Sequence, residues 1–142
     1  MNVRLRCAIL GLLALSAFST GLWAYFFPEA WYENFPGFGR RWLPPLGPYN
    51  QHLAKDTGAL LLALGVLAVA AVVRVRDDSF VRVTGGVWLV FNALHLVYHM
   101  RHLHVYGTTD KAINIVALSG AVVLAALLLL PAPPPAGRDG GK

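Results

Sequence analysis

The chain has 142 residues, room for one domain of ordinary size. Hydrophobic residues make up 56% of it and charged residues 13%, about half of the usual ~25%, and the mean hydropathy is +0.54. That balance excludes a disordered chain, a collagen-like repeat and a small polar binding module. A net charge of +5 in so apolar a chain reads as membrane topology before nucleic-acid binding.

Four apolar runs carry most of the chain. The first, 7–27, holds no charge and follows Arg4 and Arg6. As a helix it covers about 30 Å, the thickness of the hydrocarbon core. A signal peptide is the rival reading, with Ala17-Phe18-Ser19 as a loose cleavage site. The run continues past that site into Leu22-Trp23-Ala24-Tyr25-Phe26-Phe27, longer than the usual ~7–15 apolar residues of a signal, so an uncleaved helix is expected. Ser16, Ser19 and Thr20 on it are expected to bond back to their own helix. Cys7 is a candidate for acylation, though a lone cysteine is more often a small apolar residue. One cysteine also excludes an internal disulfide, a CxxC redox pair and a four-cysteine zinc site.

The connection 28–51 is long and rich in aromatics and in helix breakers. Trp31, Tyr32, Phe35, Phe38 and Trp42 suit the membrane interface, and the segment is expected to lie on the outer surface as a cap. Arg40 and Arg41 beside Trp42 read as an anchor for lipid phosphates. The second run, 57–73, is short for a span unless its first turn reaches back to His52. A charged turn, 74–82, leads to the third run, 83–100. The fourth run is 112–130. The tail 131–142, rich in proline and glycine, has no apolar surface to bury and is expected to be disordered.

These elements make an all-α protein: a transmembrane four-helix bundle over 1–130 with a long aromatic-rich outer loop. With the amino terminus inside, the cytoplasmic side carries Arg4, Arg6, Arg74, Arg76, Arg82, Arg138 and Lys142 against Arg40, Arg41, Lys55, Arg101 and Lys111 outside. That bias places both termini in the cytoplasm and the protein, multi-pass, in the cytoplasmic membrane.

The polar residues then gather on particular faces. Gly85, Trp88, Asn92, His95, His99, His102 and Tyr106 step by three and four along the third run, a single packing seam. His52 and Asp56 head a stripe through Ala59, Ala63 and Ala70 on the second, and Gly11, Ala14, Phe18, Gly21 and Tyr25 form one on the first. Small residues of this kind allow close helix approach and association with a protein partner or a second copy.

His52, Asp56, His95, His99 and His102 fall near one level at the outer end and are the candidate metal ligands. Imidazoles four apart chelate one ion, and a carboxylate from the neighbouring helix completes a set suited to zinc, iron or copper. Haem held by two histidines is a further option. His104 falls about 200° round the helix from His102 and stays outside the set. The bland alternative is a hydrogen-bonded cluster in which Asp56 accepts from His99 or His102, with Tyr49, Asn50 and Asn92 around it.

The segments Gly47-Pro48-Tyr49-Asn50-Gln51-His52-Leu53-Ala54-Lys55-Asp56-Thr57-Gly58-Ala59 and His95-Leu96-Val97-Tyr98-His99-Met100-Arg101-His102-Leu103 resemble those of small four-helix membrane proteins of high-GC bacteria. In topology and size the chain is also similar to the DoxX-like group. The resemblance implies a four-helix bundle in the cytoplasmic membrane and supplies no catalytic residues. Disulfide-forming membrane oxidoreductases need paired cysteines, and di-iron membrane hydroxylases need about eight histidines where this chain has five. No span repeats and no mid-membrane acid support a channel or pump. The expected role is therefore an accessory or partner-binding membrane subunit in contact with lipids, without nucleic acid and without catalysis of its own. The alternative is a metal- or haem-binding redox protein.

Overall fold

The structure, a computed structural model, describes residues 1–132. The elements run α1 (Val3–Phe26), α2 (Pro28–Asn34), β1 (Pro36–Gly37), β2 (Arg40–Arg41), α3 (Gln51–Val73), α4 (Asp78–Arg101) and α5 (Thr108–Leu127), with short 3₁₀ turns at Pro44–Leu46 and Leu103–Val105. α1, α3, α4 and α5 are long and apolar enough to cross a membrane. The expected disorder from residue 131 falls, apart from Pro131 and Ala132, outside the described residues.

Each long helix starts earlier than its apolar run, and in α1, α3 and α4 a side-chain cap marks where it begins. The side chains of Asn2, Asn50 and Asp77 accept from the backbone N–H of Leu5, Leu53 and Phe80 at 2.8, 3.1 and 3.0 Å. The second span therefore begins at Gln51, and its short apolar run gains the first turn it lacked. Ser16 and Ser19 donate back to the carbonyls of Leu13 and Ser16 at 2.9 and 3.0 Å, as their place in an apolar helix requires.

The long helices form two antiparallel pairs, α1 with α3 and α4 with α5. Gly21 and Gly58 face each other at the first crossing. A Cβ on Gly58 would stand 2.6 Å from the Tyr25 backbone nitrogen and 2.9 Å from the Gly21 carbonyl oxygen. Two turns further along α3, the Phe18 ring lies against Gly65, 3.0 Å from where its Cβ would be. Glycine at such crossings brings backbones together, and in lipid that packing is the main source of helix association.

This contact settles which face of α3 is buried, and it is not the expected one. Ala54, Gly58, Leu61, Gly65 and Ala68 point inward, whereas His52, Asp56, Ala59 and Ala63 are exposed. Glycine outcompetes alanine for the tightest position, and burying Gly58 turns Asp56 about 200° away. On α1 the expectation holds for Ala14 and Gly21 and fails for Gly11 and Tyr25, which are exposed.

The second pair uses the same device once. A Cβ on Gly85 would stand 2.7 Å from Leu128 Cβ and 3.2 Å from the Ala125 carbonyl oxygen. Further along, Asn92 Nδ2 donates to the Ala121 carbonyl at 3.4 Å. Both pairs share one core, in which Leu10, Leu13, Ala17, Ala68, Val81, Trp88 and Leu128 are packed. At the end that holds Met1 and the end of α5, Arg6 joins them. It is 1% exposed, pairs with Asp78 at the start of α4 and donates to the Leu130 carbonyl at 2.9 Å.

Gly58→Ala is expected to destabilise the chain by about 1–3 kcal/mol, since a methyl must displace backbone. Gly11→Ala meets nothing within 4 Å and is expected to be neutral or to stabilise by up to ~1 kcal/mol through helix propensity. Unfolding by titrated denaturing detergent reads both.

Candidate functional site

The connection between α1 and α3 folds into a compact cap. α2 begins with a proline at its first turn, where the missing N–H costs nothing. The hairpin β1–β2 follows, with Gly37 and Gly39 at positive φ of 95° and 74° and Phe38 between them at 58°. Trp42, next in the chain, is 8% exposed and is the cap's root. Its indole Nε1 donates to Asp110 of α5 at 3.0 Å, and its carbonyl accepts from the Tyr106 hydroxyl at 2.9 Å. Arg40 also pairs with Asp110, and Arg41 with Glu33. Both guanidiniums thus have a carboxylate partner within the protein.

Between the cap and the helices lies a cleft of about 270 Å³ walled by Trp31, Tyr32, Tyr49, Leu53, Leu46 and Tyr98. Tyr32 closes its side by donating to the Gly47 carbonyl at 2.7 Å. Among the described residues, no charged side chain lines it.

The expected ligand set divides in two. His52 Nε2 and Asp56 Oδ2 are 3.2 Å apart on the exposed face of α3. His95, His99 and His102 stand on α4. Among the described residues, no group of three or more His, Cys, Asp or Glu is placed to hold a metal ion. The five-residue centre is therefore not assembled, because the rotation that buries Gly58 carries His52 and Asp56 outward. Asp56 has His52 as its partner, not His99 or His102, so the hydrogen-bonded alternative is not assembled as expected either.

The α4 seam is as the spacing predicts over most of its length. Gly85, Trp88, Asn92, His99 and Tyr106 are buried, while His95 is exposed at the chain surface. The rings form a ladder. Phe91 stacks on His95 at 5.6 Å between centroids, His95 meets His99 edge-on at 4.5 Å, and Tyr98 stacks on His102 at 4.3 Å. His102 Nδ1 donates to the Tyr98 carbonyl at 2.8 Å, which fixes its tautomer. His104, excluded from the set, lies in the 3₁₀ turn and is exposed.

Two polar residues matter that the sequence reading passed over. Asn114, on α5, is 1% exposed. Neither its Oδ1 nor its Nδ2 has a hydrogen-bond partner among the described residues, and the same holds for His99 Nδ1. An asparagine inside an otherwise apolar span was the available signal. Asp110 is the other: its place in the first turn of α5 favours a carboxylate, but only the fold reveals Arg40 and Trp42 beside it.

In comparisons with known proteins, no family model, no curated protein and no solved structure matches this chain.

Tyr106 gives the cap a measurable signature. Burial, with Tyr98 and Asp110 nearby, pushes its hydroxyl up to about 12. An unfolded tyrosine ionises near ~10, so the unfolded chain loses this proton first as pH rises. The contribution is therefore intact below pH ~10 and is lost as pH climbs toward about 12. Tyr106→Phe is expected to reduce that alkaline fall in stability, seen by comparing unfolding of both proteins across this range.

Proposed function

We propose that the chain is a multi-pass protein of the cytoplasmic membrane, built as a four-helix bundle, that serves as an accessory subunit. It binds a protein partner through its extracytoplasmic cap and carries out no catalysis of its own. The observation that supports this reading is Phe38. It is 100% exposed at the tip of the hairpin, with a backbone φ of 58°. A bulky residue in the left-handed region is an outlier that costs on the order of 1–3 kcal/mol. The cap beneath it is held by Trp42, Arg40 and Tyr106, so the bare ring stands on a fixed support. An aromatic residue presented in this way is the usual anchor of a protein interface.

The orientation rests on the basic residues. Arg4, Arg74, Arg76 and Arg82 stand at the end that holds the amino terminus and the α3–α4 turn, with Arg6 buried there. Arg138 and Lys142, which supply the whole numerical excess of the expected bias, lie outside the described residues, so the reading leans on Arg4 and Arg6 flanking the first span. The likeness to small DoxX-like membrane proteins belongs to the same reading. The exposed small residues Ala59 and Ala63 leave a second face for a partner helix or another copy.

Phe38→Gly tests the role directly, because glycine accepts the same backbone conformation and leaves the fold intact. Co-purification of a stoichiometric partner is expected to fall at least tenfold, with thermal stability unchanged or raised. A protein that purifies alone as a monomer, or a partner retained in full by Phe38→Gly, would sink the reading. Orientation is tested separately in a Cys7→Ala background. An impermeant thiol reagent on intact cells is expected to label Phe38→Cys and to spare Arg76→Cys, and the opposite pattern reverses the topology.

A further inference from the structure

We propose that His95, His99 and Asn114 form a binding site for one divalent transition-metal ion between α4 and α5. This inference does not depend on partner docking by the cap.

Two fixed points establish the register of this helix pair. Gly85 meets Leu128, and Asn92 meets Ala121. About two turns further along α4 and two turns back along α5, the same antiparallel register sets His99 opposite Asn114. Both side chains are more than nine-tenths buried, at 7% and 1% exposure. Both also carry polar atoms without partners among the described residues: His99 Nδ1, Asn114 Oδ1 and Asn114 Nδ2. Native proteins seldom leave such atoms orphaned, and three at one level of a helix interface point to a missing ligand.

The ligand must join donors of these kinds. His95 and His99 are four apart on one helix, the spacing by which imidazoles share an ion. Their ring centroids are 4.5 Å apart. With metal–nitrogen distances of about 2.0–2.1 Å, two imidazoles bound cis to one ion place their ring centres roughly 4.5–5 Å apart. A carboxamide oxygen from α5 makes a third donor. Two imidazoles and a neutral oxygen suit zinc, nickel or copper(II), and the lack of a carboxylate disfavours calcium and magnesium. His95 is the exposed member of the three, at the surface of the chain. His102 stays outside, since its Nδ1 is committed to the Tyr98 carbonyl and its ring to the Tyr98 face.

The test uses the full, tag-free chain in detergent, freed of metal and titrated with zinc, nickel or copper(II) alone by calorimetry and by elemental analysis after dialysis. One ion per chain and a raised Tm are expected, and bound copper is expected to show nitrogen coupling from two imidazoles in its electron paramagnetic resonance spectrum. His95→Phe, at an exposed position that folding tolerates, is expected to weaken binding at least tenfold. Asn114→Ala and His99→Gln are expected to do the same, each read only on protein whose metal-free unfolding is cooperative. His52→Ala and Asp56→Ala are expected to change nothing. Wild type that binds no more metal than His95→Phe overturns the site, as does binding that depends on His52 and Asp56 instead. Unchanged binding by folded Asn114→Ala overturns the three-ligand assignment.

Discussion

The approach of α1 and α3 at Gly21 and Gly58 governs much of what stands above it. Lipid offers helices no hydrophobic drive to associate, so contact depends on how closely backbones pass. The pair passes so closely that a methyl on Gly58 has no room. That fixes the rotation of α3 about its own axis. The rotation puts Ala54 and Tyr98 beside the same cleft and leaves His52 and Asp56 outside. It also fixes the distance between the end of α1 and the start of α3, the two posts between which the cap is strung. Trp23 and Phe35 then touch at 6.4 Å, and Phe35 and Trp42 at 6.1 Å, an aromatic row that carries the packing of the helices into the hairpin.

At the opposite end a charge does what glycine does at the crossing. Arg6 starts within the first turn of α1 and ends among three elements, reaching Asp78 and the Leu130 carbonyl. A guanidinium at 1% exposure is tolerable only with such partners. Asp78 in turn accepts from the backbone N–H of Ala132 at 2.9 Å, so the end of the last span is held to the start of the third. The cap repeats the scheme with Arg40 and Asp110. Each end of the molecule has one arginine–aspartate pair linking an early segment to a late one, and the apolar packing lies between them.

The spans were legible because a membrane demands about twenty apolar residues, and that demand is visible without any contact. The seam on α4 was legible for a related reason: helical spacing alone lines up Gly85, Trp88, Asn92 and His99. The face of α3 was not. Choosing between a stripe led by Gly58 and one led by Asp56 requires knowing that Gly21 stands opposite, and a single helix does not carry that fact. The cap lay further out of reach. Its aromatic content marked it as folded, but the partners of Trp42 and Arg40 sit about seventy positions away at Tyr106 and Asp110. Asn114 lay in plain view inside an uncharged run. Counting charges passes over it, because an amide has none, although burying an unpaired amide is also costly.

The two helix pairs are therefore bound by different means. α1 and α3 meet chiefly through glycine, alanine, leucine and the Phe18 ring, and the Lys55 ammonium rests over the Tyr25 ring, so the contact calls for no further group. α4 and α5 meet through one glycine, then an asparagine on a carbonyl at 3.4 Å, then a histidine and an asparagine whose polar atoms find no partner among the described residues. Along this seam the polar groups become more numerous toward the cap. Leaving such groups unpaired costs stability, so this contact is the weaker of the two for its polar content. The cap is rooted on α5 through Asp110 and on Tyr106 between the two helices. The hairpin that carries Phe38 is thus tied, through Trp42, to α5 itself and to the turn that joins α4 to α5.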